Sequence, residues 1–291
     1  MRFFTHLLCL ITEATPSSAA LQQATALANA FGARLDVGRV EGVPPQAVDT
    51  ALRAAEGLVA DPPGITRWGT HGGPDGSMDA LADYVEETNV DLIVTDTPAD
   101  RGPIPLLAAP SLRPLVRRLT CSLLVVEQQT PLPAPERILV PTGLSPLTHT
   151  ALEYALTLAD PAHTTIDLLH VLQTVPYVAL TRMDRLALSP MSFPERRARH
   201  QLNAFLDAPN LSVPVETHVE YGDPADQIGR FLHHRPADLM MLAAHDTDAS
   251  PPLGPVADRV LRRGTCPLLL LRPPPNRQSP RSTAARTPQA Q

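Results

Sequence analysis

The chain repeats itself, and that constrains its fold more than any other feature. At an offset of 131 residues, the segment Ala19 to Val40 lies over Thr150 to Val171. Ala20, Leu21, Ala24, Leu27, Ala28, Asp36 and Val40 meet Ala151, Leu152, Ala155, Leu158, Ala159, Asp167 and Val171. At an offset of 145, Arg117, Arg118, Thr120, Cys121, Leu123 and Leu124 meet Arg262, Arg263, Thr265, Cys266, Leu268 and Leu269. Between these blocks VDLIV, beginning at Val90, parallels ADLMM, beginning at Ala237. The drift in offset requires only small insertions within one duplicated unit of about 140 residues.

Both copies read alike. An apolar run (HLLCLI; RILVP) precedes a helix in which Leu21, Ala24, Leu27, Ala28 and Phe31 recur at helical spacing. A strand (ARLDVGRV; TIDLLHV) follows, then a helix near 46–59 or 193–207 and a short strand (GITRW; VETHV). A glycine turn, a third helix, the strand DLIV or DLMML, a helix (SLRPLVRRL; VADRVLRRG) and a last strand (SLLVV; PLLLL) complete each copy. Continuous apolar strands alternating with helices predict a parallel sheet covered on both faces. The expectation is an α/β fold of two doubly wound, Rossmann-like domains in tandem, forming a pseudo-dimer. Domain 1 takes residues 1–127 and domain 2 residues 137–272, joined by a Pro-rich linker at 128–136. The tail 273–291 has no apolar period and reads as disordered.

Composition excludes several function classes. All 24 basic residues are arginine, so P-loop lysine and Schiff-base chemistry are absent. A net charge of −6 argues against a nucleic-acid surface. Three scattered cysteines (Cys9, Cys121, Cys266) make neither a disulfide framework nor a zinc cluster, and point to a reducing, cytoplasmic compartment. No apolar stretch approaches the ~20 residues of a membrane span, and the run 3–11 reads as a strand rather than a signal peptide.

With the copies aligned, RILVPTGLSPLTHTALEYALTLA and ADLMMLAAHD…LGPVADRVLRRGTCPLLLLR resemble the universal stress protein family, strongly in copy two and more weakly in copy one. The resemblance implies an adenine nucleotide alpha hydrolase-like fold, a tandem member and a regulatory or stress-response role without enzymatic activity. In the family the last strands of two domains pair across a two-fold axis. Here Ser122–Val126 and Pro267–Leu271 would do so within one chain. A further homodimer and a protein partner of unspecified identity belong to the same expectation.

ATP-binding members of the family carry Gly-x2-Gly-x9-Gly-(Ser/Thr) after the fourth strand and an Asp after the first. Glycines let the backbone approach phosphates, and a helix N-terminus supplies amide donors. Copy two instead has Ala243, Asp246 and Gly254-Pro255, with Gly143 in place of the Asp. Copy one has Asp96, Ala99 and Ala109-Pro110, with Thr12 in place of the Asp. Proline lacks both the hydroxyl and the N–H, and each added carboxylate repels a polyphosphate. No cofactor is therefore expected, and ATP is disfavoured. The alternative is nucleotide binding through a divergent cleft at Pro141, Thr142, Gly143, Val171, Leu242, Ala243, His245 and Gly254. A second alternative is a hydrolase or transferase around His245 and Asp246, with Asp248 nearby.

Other candidates have structural readings. The Arg pairs suit helix C-termini, the matching cysteines suit a core, and Ser17 and Ser145 suit helix N-caps. His233 and His234 are adjacent on a helix and cannot both ligate one metal.

Overall fold

A computed structural model describes residues 4–11, 18–39, 43–56, 65–67, 78–96, 121–126, 135–173, 192–206, 211, 213–243, 254–263 and 266–272. The first half runs β1 (His6–Ile11), α1 (Ser18–Phe31), β2 (Arg34–Arg39), α2 (Pro45–Glu56), β3 (Ile65–Arg67), α3 (Met78–Thr88), β4 (Leu92–Asp96) and β5 (Ser122–Val126). The second half runs β6 (Arg137–Thr142), α4 (Pro146–Leu158), β7 (Thr165–Leu172), α5 (Ser192–Leu206), β8 (Val215–Tyr221), α6 (Pro224–His234), β9 (Leu239–Ala243), α7 (Pro255–Arg263) and β10 (Leu268–Leu271).

The strands make one sheet in the order β3-β2-β1-β4-β5-β10-β9-β6-β7-β8. Within each half every pairing is parallel. The halves meet where β5 runs antiparallel to β10, with Leu124 opposite Leu269. Each half is thus doubly wound, with its switch of winding between β1 and β4 or between β6 and β9. The central strands are apolar because both faces are covered: every residue of β1, β4, β5 and β10 is buried. The run 3–11 supplies β1, sandwiched between β2 and β4. Among the described residues no helix is long and apolar enough to cross a membrane.

The repeated aspartate of VDLIV and ADLMM closes the start of the first strand in each half. Asp91 Oδ2 accepts from the backbone amides of Thr5 and His6, and the amide of Asp91 donates to the His6 carbonyl at 2.9 Å. Asp238 repeats the device, with Oδ2 accepting from the Arg137 amide at 2.9 Å and its own amide donating to the Arg137 carbonyl at 3.0 Å. Across the seam, Phe4 of the first half packs on Tyr154 of α4 with ring centroids 4.8 Å apart. A void of about 20 Å³ beside it, between Phe4, Leu27, Leu124, Leu158 and Leu269, is apolar and too small for an organic ligand.

Candidate functional site

In a doubly wound sheet the carboxyl ends of the strands at the switch of winding are where ligands sit. In the second half those ends belong to β6, β7 and β9, and the structure brings most of the sequence-predicted cleft residues there. Pro141 and Thr142 end β6, Val171 is near the end of β7, and Leu242 and Ala243 end β9. Gly254 directly precedes α7. The side chains of Pro141, Thr142 and Leu242 are buried, so any contact they make with a ligand is through the backbone.

Much of that backbone is already engaged. The amide of Leu144 donates to Thr142 Oγ1 at 2.8 Å, and His170 Nδ1 lies 2.9 Å from the Thr142 carbonyl oxygen, to which it donates. Leu144 sits at φ 57°, a left-handed conformation that costs an L-residue about 1–2 kcal/mol. Ser145 caps α4, its Oγ accepting from the Thr148 amide, and Pro146 follows at the first helical position. Among the described residues no atom lies within 4 Å of where a Cβ would stand on Gly143 or Gly254.

The other edge of the cleft is α7. Pro255 occupies its first position, which removes one of the amides a phosphate would use. Asp258 adds a carboxylate in the first turn and pairs with Arg262, Nε to Oδ2 at 2.7 Å. Arg259 turns toward α6, reaching Asp223 Oδ2 at 2.6 Å and Asp226 Oδ1 at 3.1 Å. Asp223 is the N-cap of α6, so its charge also faces that helix's own amides. His245, Asp246 and Asp248 lie outside the described residues, as do Thr12, Ser17, Ala99, Ala109, Pro110, Arg117 and Arg118. In the first half Asp96 is buried at the end of β4, and burial together with the Asp96 charge pushes the Cys9 thiol well above its ordinary range. Burial pushes the Cys121 thiol up to about 12, and Cys9, Cys121 and Cys266 are all buried. His233 and His234 are both exposed.

Sequence reasoning gave no role to Asp36 and Asp167, yet both carboxylates are fully buried inside β2 and β7. A charged residue in the middle of an otherwise apolar strand was the available signal. Asp36 Oδ2 lies 2.6 Å from His6 Nε2 and accepts from the Tyr84 hydroxyl, while Oδ1 accepts from Arg34 Nε at 3.0 Å. His6 Nδ1 meets the Thr88 carbonyl at 3.0 Å, so with a proton on each nitrogen the ring donates to both oxygens. Burial raises the Asp36 carboxyl, but the hydrogen bonds from His6 and Tyr84 and the charges of His6 and Arg34 overcome it, so the group ends below its ordinary range. Burial and the adjoining carboxylate push the Tyr84 hydroxyl the other way.

The partners at Asp167 are different. Its Oδ2 accepts from Arg137 Nη1 at 2.9 Å, and its Oδ1 lies 2.8 Å from His218 Nε2 and 3.6 Å from Arg235 Nη2. Arg235 also donates to Glu216 Oε2 at 2.8 Å. The His218 ring packs on Phe231 with centroids 4.9 Å apart.

This architecture defines a class: two doubly wound α/β units fused through their last strands. Two solved structures share it over nearly the whole chain. A functionally unknown protein from Pseudomonas aeruginosa PAO1 superposes with a TM-score of 0.66 at 17% identity, covering 94% of this chain and 94% of its own. A universal stress protein from Archaeoglobus fulgidus DSM 4304 does so with a TM-score of 0.57 at 14% identity, covering 91% of this chain and 96% of its own. At such identities the likeness is one of fold. Residues 135–272 match the universal stress protein family model. The second half of the chain is a universal stress protein domain, and the first half shares its fold.

Proposed function

We propose that the chain is a non-enzymatic, cytoplasmic stress-response regulator whose second-half cleft does not hold ATP in the manner that the family resemblance implies. The observation that carries this is Pro255 at the first position of α7, directly after Gly254. A phosphate at a helix N-terminus is held by amide donors and the positive end of the dipole. Here one donor is missing, and Asp258 already places negative charge in the same turn. Gly143 stands where a carboxylate would follow β6, and the first copy has Ala109-Pro110 at the corresponding hydroxyl position in sequence. The cytoplasmic assignment rests on the sequence, whose three widely spaced cysteines make no disulfide framework.

Calorimetry of the purified chain with ATP, ADP, AMP and cyclic AMP tests the reading. The expected outcome is no saturable binding of ATP below about 1 mM, equivalent to less than about 4 kcal/mol of binding free energy. Micromolar ATP binding overturns it. One observation favours a second reading, in which the cleft takes a smaller ligand: among the described residues nothing crowds Gly143 or Gly254. In the same titrations that reading expects saturation by AMP or cyclic AMP without ATP.

A further inference from the structure

At the amino-terminal side of the second half's sheet, away from the cleft, three metal-ligating side chains converge. Strands β7 and β8 place Asp167 and Glu216 in register, and His218, two residues on, shares the face of Glu216. One donor atom from each lies within 4.8 Å of the others. His218 Nε2 is 2.8 Å from Asp167 Oδ1 and 3.8 Å from Glu216 Oε2. A tetrahedral ion with ligands at about 2.1 Å needs donors roughly 3.4 Å apart, a value that the two His218 separations bracket. The space between the three donors is held by a positive charge. The Arg235 guanidinium is 2.8 Å from Glu216 Oε2, 3.6 Å from Asp167 Oδ1 and 3.3 Å from His218 Nε2.

We infer that Asp167, Glu216 and His218 form a divalent-cation site closed by Arg235, the guanidinium and the ion competing for the same three donor atoms. A separate observation, at His218, points the same way. Its Nε2 faces an acceptor, Asp167 Oδ1, and a donor, Arg235 Nη1. One ring nitrogen donates or accepts but not both, so one of the two neighbours is always mismatched. An ion in place of the guanidinium removes the conflict, because all three donors then direct lone pairs at it. The means of opening is also present. Arg235 caps α6 at φ −134° and ψ 84°, outside helical geometry, and its side chain is 34% exposed, so it can leave without unwinding the helix. Arg137 holds Asp167 Oδ2 and leaves Oδ1 for the ion, orienting the carboxylate from behind. One imidazole with two carboxylates suits Zn²⁺, Co²⁺ or Ni²⁺ rather than Mg²⁺ or Ca²⁺. Among the described residues the first half shows no such set, and there Asp36 lies in register with Thr66 where Asp167 faces Glu216.

The test uses the untagged full-length chain, titrated with Co²⁺ by visible absorption and with Zn²⁺ by calorimetry. Arg235→Met is expected to bind at least tenfold more tightly than the wild type, with the Co²⁺ band of a low-coordinate site. Adding His218→Gln to that variant is expected to weaken binding at least tenfold, and Mg²⁺ is expected not to compete. If Arg235→Met does not fold, Arg235→Lys, which keeps the charge but loses the fork, is expected to bind with intermediate affinity. Absence of metal binding in the folded Arg235 variant overturns the inference. So does binding that His218→Gln leaves unchanged, which would place the ion elsewhere.

Discussion

Asp36 and Asp167 occupy the same place in the two copies, and each is a carboxylate with no exposure to water. Such a group is tolerated only when its charge is paired and its lone pairs are used, and removing one partner from a buried pair costs about 3–5 kcal/mol. Asp36→Asn keeps the shape and loses the charge that His6 and Arg34 face, so it is expected to lower unfolding free energy at pH 7 by about 2–4 kcal/mol in urea titrations. The pH dependence follows from the lowered carboxyl. A group more acidic in the folded than in the unfolded chain stabilises above its unfolded value, near 3.9, and that contribution is lost as pH falls through the folded one. The gap between wild type and Asp36→Asn is therefore expected to be full at neutral pH and to close below about pH 4. A constant gap down to pH 2 would contradict this account. The aspartates were visible in the sequence as matched residues, but their partners were not. Asp36 and His6 are 30 residues apart and Asp167 and His218 are 51 apart, so only the assembled sheet joins them.

At the scale of elements, helical periodicity was enough to place α1 and α4, and apolar runs to place β2, β6 and β7, because a sheet covered on both faces buries most of its strands' side chains. Helix ends were legible where a residue type is required by geometry. Gly32 follows α1 at φ 60°, with the Ala33 amide donating to the Ala28 carbonyl at 2.8 Å and the Gly32 amide to the Asn29 carbonyl at 3.2 Å. Asn89 does the same work after α3 at φ 55°. The second copy ends its first helix differently because Pro161 stands in the corresponding turn. There Asp160 turns the chain instead, its Oδ1 accepting from the Ala162 amide at 2.9 Å. Among the described residues no atom lies within 4 Å of a Cβ built on Gly32, so Gly32→Ala meets the backbone penalty. Allowing for the stiffer unfolded chain, the net loss is expected to be about 1 kcal/mol by chemical denaturation. The cleft was less legible than the helices. Its residues could be read off the aligned copies, whereas the internal bonds of Thr142 to Leu144 and His170 depend on the loop and two strand ends meeting.

On the scale of the whole molecule, the β5–β10 pair makes ten strands into one sheet and leaves β3 and β8 as its edges. Composition and periodicity give each half its strands but do not say which strands of the two halves meet, since the interior strands β1, β4, β5, β9 and β10 are comparably apolar. At the seam Leu124 is 2% and Leu269 1% exposed, and Phe4 and Tyr154 pack across it nearby. Burying side chains of this size stabilises by about 1.5–3 kcal/mol each, so the halves are coupled by several such contributions. Unfolding one half would expose the other's β5 or β10 as an open apolar edge, which favours loss of both together. A single urea transition is therefore expected, coincident between far-UV circular dichroism and the fluorescence of Trp68, the one tryptophan, which belongs by sequence to the first half. Leu269→Asp puts an unpaired carboxylate into the central pair and is expected to cost more than about 3 kcal/mol. It should also pull the two transitions apart, because the coupling term is the one it removes. Coincident transitions in Leu269→Asp, or separated ones in the wild type, would mean that the seam does not hold the halves together.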